Sequence, residues 1–238
     1  MRLLVTRPDT DAERTARALE KLGHEAIISP ALQIRYLIDA PIAARAPQAI
    51  LATSVNAVRA LKRHRWGKAL IACPVLAVGD RTAVEARRAG FAAAFSAAGN
   101  VSALYDLVLQ HCRAEGGVLL YAAGTDQAGD LAGQLGDAGF QTETVFLYRA
   151  EPAGGLSPAV HKALSEGTID GVLFYSARSA RAFGEQLARA GLAPLCAPVC
   201  CYCLSDAVAE PVRDFTTGLV RIAASPNQLA LFALLGAA

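Results

Sequence analysis

Hydroxyl and guanidinium side chains recur in this 238-residue chain at the places where short apolar runs end. Thr6-Arg7 follows Leu3-Leu-Val5, Thr53-Ser54 follows Ile50-Leu-Ala52, and Gly79-Asp-Arg-Thr82 follows Val75–Val78. Ser176-Ala-Arg178 follows Val172–Tyr175, while Gly99-Asn-Val-Ser102 and Tyr148-Arg149 stand in comparable positions. If each run is a strand and the next residues open a helix, the hydroxyls can accept the first helical N–H groups. The remaining amides and the helix dipole then attract an anion, each terminus contributing about 0.3–1 kcal/mol. Several such termini, with Arg7, Arg149 and Arg178 close by, are equipment for carboxylates. The plainer alternative is that each hydroxyl only closes its own helix.

The chain lacks a Gly-x-x-x-x-Gly-Lys-Ser/Thr loop, a strand-linked Gly-x-Gly-x-x-Gly, a His-Glu-x-x-His and a Gly-x-Ser-x-Gly. Nucleotide, zinc-protease and serine-hydrolase chemistry are therefore not indicated. Cys196, Cys200, Cys201 and Cys203 crowd into one stretch. No paired Cys-x-x-Cys or histidine ligand set accompanies them, so a buried strand using Cys as a small hydrophobe is expected there, and no metal. The four histidines, at 24, 64, 111 and 161, form no motif and are expected at the surface.

Lys plus Arg number 23 against 21 Asp plus Glu, too even a balance for the broad basic field of nucleic-acid binding. No nucleic-acid partner is expected. The longest uncharged runs, 89–105 and 222–238, are interrupted by Gly, Asn or Pro, so no membrane span is expected either. Leu3-Leu-Val5 is too short for the apolar core of a secretion signal, which makes the cytoplasm the expected compartment.

The elements that must position these residues come from an internal repeat. Arg2–Arg7 with Leu19–Gly23 matches Val118–Ala123 with Leu135–Gly139, and Gly23 follows Arg7 by 16 positions as Gly139 follows Ala123. Ala49–Leu61 matches Gly171–Phe183, Val75–Val84 matches Cys201–Glu210, and Ala98–Leu104 matches Ala224–Ala230. Each block reads as an apolar strand, a small or polar turn and a helix, the pattern of parallel α/β units. Strands are expected near 2–6, 25–29, 48–53, 74–78, 92–96, 117–122, 141–148, 170–175, 198–204 and 219–223. The fold class is therefore α/β, with two similar doubly wound, flavodoxin-like parallel-sheet domains. Ligands of such sheets bind beyond the strand carboxyl ends, so the rims of two domains would enclose a cleft.

Six segments carry a resemblance to a known family: Leu3-Leu-Val-Thr-Arg-Pro8, Ala52-Thr-Ser-Val-Asn-Ala57, Ala77-Val-Gly-Asp-Arg-Thr-Ala83, Val145-Phe-Leu-Tyr-Arg149, Leu173-Phe-Tyr-Ser176 and Ala224-Ser-Pro-Asn-Gln-Leu-Ala230. In order and spacing they resemble the uroporphyrinogen-III synthase family over nearly the whole chain. The resemblance implies a cofactor-independent hydro-lyase of tetrapyrrole and haem biosynthesis. Its substrate, hydroxymethylbilane, loses water, inverts its last pyrrole ring through a spiro intermediate and closes as uroporphyrinogen III. Tyr148 matches the family's strand-end tyrosine and is the expected catalytic acid. Arg7, Ser54, Thr82, Ser102, Arg149, Ser176 and Arg178 are the expected substrate-binding residues. One departure stands out: Ser205-Asp-Ala-Val208 carries Val where the family often has Thr.

The repeat alone favours tandem domains divided near Gln110–Gly117. The resemblance implies a crossed arrangement, with 1–34 and 152–238 forming one domain and 35–151 the other, joined by two extended connectors near 33–36 and 148–152. The crossed arrangement is the expected one. A monomer is expected, and a transient contact with hydroxymethylbilane synthase is compatible with it. The main alternative is a two-lobed small-anion-binding sensor without catalysis; a sugar-nucleotide transferase with twin Rossmann-like lobes would need a longer chain.

Overall fold

Apolar runs of three to six residues alternate with amphipathic helices; the central runs, such as Ala49–Ala52 and Gly171–Phe174, become strands buried on both faces, while the edge strands stay partly exposed. The computed structural model describes residues 1–127 and 129–236. Along the chain the elements are β1 (Arg2–Val5), α1 (Asp9–Glu20), β2 (Glu25–Ile28), β3 (Leu32–Tyr36), β4 (Ala49–Ala52), α2 (Val55–Arg63), α3 (Gly67–Leu70), β5 (Val75–Ala77), α4 (Asp80–Ala89), β6 (Ala94–Ser96) and α5 (Val101–His111). After a short 3-10 turn at Ala114–Gly116 come β7 (Leu119–Gly124), α6 (Leu131–Asp137), β8 (Thr142–Pro152), α7 (Pro158–Ser165), β9 (Gly171–Phe174), α8 (Ala177–Ala190), α9 (Ala193–Cys196), β10 (Cys200–Cys203), α10 (Asp206–Ala209), β11 (Val220–Ile222) and α11 (Gln228–Ala233).

The strands form two sheets, ordered β11-β10-β9-β1-β2 and β3-β8-β7-β4-β5-β6. The chain divides accordingly into one unit of Met1–Gln33 with Glu151–Ala238 and another of Ile34–Ala150. In the first sheet Leu4 pairs in parallel with Ile27 on one side and Val172 on the other. In the second, Leu51 pairs with Leu76 and with Tyr121. Repeat-related strands occupy equivalent places: β1, β2, β9, β10 and β11 lie in the first sheet as β7, β8, β4, β5 and β6 lie in the second. Each five-strand set has the flavodoxin-like order.

Two features depart from the sequence reading. The second sheet has an additional edge strand, β3, and β8 runs on to Pro152, so both segments expected as connectors are strands of that sheet. Leu32–Tyr36 alternates buried and exposed side chains, the half-covered pattern of an edge, and so lacks the continuous apolar run by which the other strands were recognised. His24 and His64 are also buried, at 4% exposure each. His64 Nε2 lies 2.9 Å from the Ala40 carbonyl oxygen, and its Nδ1 accepts from Trp66 N–H at 3.2 Å. These bonds make His64 a loop brace.

Where the chain passes between the units, the first unit holds both crossings together. Ala153 N–H donates to the Ala31 carbonyl at 3.0 Å, and the buried Gln186 amide donates to the Ala31 and Ala153 carbonyls at 3.2 Å each. Of the cysteine-rich segment, Cys200–Cys203 form strand β10, with Cys201 and Cys203 fully buried, and Cys196 ends helix α9. Among the described residues no group of three or more His, Cys, Asp or Glu is placed to hold a metal, and no helix is long and apolar enough to cross a membrane.

Candidate functional site

In each sheet the site is fixed by the strand pair whose following helices diverge to opposite faces, because the loops part there and leave a crevice. In the Ile34–Ala150 unit that pair is β4 and β7. Helix α2, after β4, buries Ala57, Val58 and Leu61 on one face, and α6, after β7, buries Leu131 and Leu135 on the other. In the other unit the pair is β1 and β9. Helix α1 packs Ala12 and Leu19 with Leu3 and Leu173, whereas α8 packs Phe183 edge-on against Phe174 from the opposite side.

Ser54 and Tyr148 come together at the first of these crevices. Ser54 is the N-cap of α2, and its Oγ accepts the Asn56 N–H at 3.1 Å. Its own O–H is left to donate, and it lies close enough to the Tyr148 phenol to favour the ionised form. Burial pushes the phenol pKa up, the Ser54 hydroxyl opposes that rise by favouring the phenolate, and Tyr121, Asp126 and Tyr36 add to it. The phenol therefore stays protonated at neutral pH and has a donor ready for the oxygen from which its proton would leave. Arg149, the next residue on β8, is exposed.

The remaining expected residues of this unit lie on strands farther out. Thr82 is nearly buried in the first turn of α4, after β5, and Ser102 is exposed in the first turn of α5, after β6. Ser102 is not the cap of its helix. Asn100 fills that place, accepting the Ala103 N–H at 3.1 Å.

At the second crevice the structure gathers Arg7, Ser176 and Arg178. Ser176 caps α8, accepting the Ser179 N–H at 3.1 Å, and its Oγ lies 2.8 Å from that of Ser179. Arg7 is 15% exposed, paired with Asp11 at 3.0 Å and bonded to Gln228 at 3.4 Å. Its guanidinium lies 4.2 Å from the ring centre of Tyr175. Arg178, one residue into α8, is exposed.

Sequence reasoning did not single out Tyr175, Gln228, Gly124 or Asp126. Tyr175 was visible in one respect, as the aromatic residue occupying the repeat position of Thr53. The others are brought in by pairings distant in the chain.

The model of the family described as uroporphyrinogen-III synthase HemD matches residues 13–233, which takes in both crevices except for β1, Arg7 and Asp11. The chain belongs to the uroporphyrinogen-III synthase family. Membership in this enzyme family leaves the sensor alternative without support. Among solved structures, uroporphyrinogen-III synthetase from Helicobacter pylori is similar over 99% of this chain and 98% of its own, at 19% identity and a TM-score of 0.65. A mutant uroporphyrinogen III synthase from Thermus thermophilus aligns over 99% of this chain and 96% of its own, at 19% identity and a TM-score of 0.49. At that identity the Helicobacter likeness concerns the fold. No curated protein matches the sequence.

Proposed function

We propose that the chain is a cofactor-independent, cyclising hydro-lyase that converts hydroxymethylbilane to uroporphyrinogen III. The observation that carries this reading is the half-buried Tyr148 phenol beside the α2 cap Ser54, in a chain matched by the synthase family over residues 13–233. Tyr148 donates its proton to the terminal hydroxyl of the substrate as the C–O bond breaks, so that water leaves. Ser54 O–H donates to the phenolate thus formed, and an azafulvene cation remains on the substrate. The last pyrrole attacks this cation through its substituted α carbon, giving the spiro intermediate. Reopening and closure at the other α carbon, with proton loss, complete the inverted ring.

Such a phenol supplies about 10²–10⁴-fold, the usual contribution of a positioned general acid. Orientation supplies the rest, since the open chain closes without inversion when left unconstrained. Arg7, Arg149 and Arg178, the capped starts of α2 and α8, and the hydroxyls of Thr82, Ser102 and Ser176 bind substrate carboxylates in this reading. Six free thiols suit a reducing cytoplasm, and the chain acts as a monomer. The test is incubation with enzymatically generated hydroxymethylbilane and separation of the isomers. Type III product is expected; type I alone overturns the proposal.

A further inference from the structure

Strand β8 breaks its own alternation at the residue that matters. Val145 and Leu147 are buried in the cluster beneath α2 and α4, while Phe146 points the other way and is 45% exposed. A regular strand would send Tyr148 to the side of Phe146, because successive side chains alternate between faces. Tyr148 instead packs against the same cluster as its neighbour Leu147.

The cause is visible in the ladder with β7. Ala123 pairs with Phe146, but Gly124 pairs with Tyr148, so Leu147 is the extra residue of a bulge. Bulges are rare in parallel pairs and characteristically re-aim a side chain. Thr125 N–H fixes the far end of the bulge by donating to the Tyr148 carbonyl at 3.1 Å, and Leu37 N–H donates to the Leu147 carbonyl at 2.8 Å from the other side.

The re-aimed ring needs room. It lies against Gly124, where a Cβ would stand 2.7 Å from Cε2 and Cζ and 2.9 Å from the phenolic oxygen. Gly124 has no positive φ, so this close approach, and not backbone freedom, is what excludes a side chain.

We propose that Gly124, acting with the Leu147 bulge, is a positioning residue of the synthase reaction that seats the Tyr148 phenol against Ser54. The proposal rests on Tyr148 being the acid, and its test separates the two ideas. In Gly124→Ala the methyl group displaces the ring, so kcat falls by at least about tenfold, as expected for a misplaced catalytic group, while KM stays within about twofold. In a Tyr148→Phe background the same substitution changes kcat by less than about twofold, because it acts through the lost hydroxyl. Gly171→Ala is the structural control: a Cβ there would meet the Tyr202 ring at 2.6 Å, at the opposite end of a strand in the other sheet. It is expected to lower Tm with kcat unchanged.

A readout in the unaltered protein does not depend on how the variants fold. Labelled tyrosine NMR is expected to give a cross-peak between the Tyr148 ring and the Gly124 α protons. A missing cross-peak, a folded Gly124→Ala with normal kcat, or losses that multiply in the double variant would each overturn the proposal. A normal rate in Tyr148→Phe with the cross-peak present would instead remove Tyr148 as the acid, leaving the geometry intact.

Discussion

The guanidinium of Arg7 lies over the ring of Tyr175 at 4.2 Å, with Asp11 holding one edge at 3.0 Å. Among the described residues the buried Tyr175 hydroxyl meets no partner at full hydrogen-bond geometry, with Thr15 and Arg7 as its polar neighbours, and the defined contact with Arg7 is made by the ring. An arginine clamped this way presents its remaining N–H groups in a fixed plane suited to a carboxylate.

Tyr175→Phe is accordingly expected to leave KM and Tm nearly unchanged, since it removes a hydroxyl that makes no well-formed hydrogen bond among the described residues and keeps the stack. Tyr175→Ala is expected to raise KM severalfold by releasing Arg7, and Arg7→Ala to raise it by about 10–100-fold, the range of one charge-assisted hydrogen bond. Steady-state kinetics with freshly generated hydroxymethylbilane tests the order Phe, Ala, Arg7→Ala. An equal effect of the two Tyr175 variants would contradict the stacking role.

Ser54 has two duties that separate by substitution. Ser54→Ala loses the α2 cap, costing about 0.5–2 kcal/mol, and also the donor to the Tyr148 phenol. Both Tm and kcat are expected to fall. Ser54→Asp keeps a cap acceptor but has no hydroxyl to donate when ionised, so Tm recovers and kcat does not. Recovery of both with Asp would show that the cap alone mattered.

The buried thiols predict alkaline instability. Burial raises Cys196, Cys201 and Cys203 from 9.0 to about 12 in the fold. From pH 9 to 12 the unfolded chain therefore loses these protons first, and stability falls as pH rises. Each thiol contributes up to about 1.4 kcal/mol per pH unit within that window. Urea melts at pH 7.5, 9 and 10 are expected to show an unchanged midpoint at first and then a steep drop. Cys203→Ala should flatten the drop while lowering stability at pH 7.5; a midpoint independent of pH up to 10 would refute the assignment.

Much of this architecture was legible because apolar runs and their following turns recur with matched spacing, and recurrence survives even where side chains differ. Ser54 and Ser176 were readable as caps for the same reason, since capping is local. What a repeat leaves open is which copy of a strand a sheet takes up, because pairing depends on contacts such as Leu4 with Val172 that are distant in sequence. Edge strand β3 was missed because a half-exposed strand carries little apolar signal. The direction of Tyr148 was also beyond reach. A period-two reading puts it beside Phe146, and only the register with β7 reveals the extra residue at Leu147.

The most direct test of the account is the single-turnover rate of cyclisation by Tyr148→Phe, measured by rapid quench alongside the unaltered protein. Because burial raises the phenol pKa, the unaltered protein is expected to hold its rate from neutral pH to at least about pH 10, the ordinary tyrosine value. The variant is expected to keep its Tm and to be slower by about 10²–10⁴-fold. An unchanged rate in a folded Tyr148→Phe protein would contradict the central claim that this phenol expels the hydroxyl.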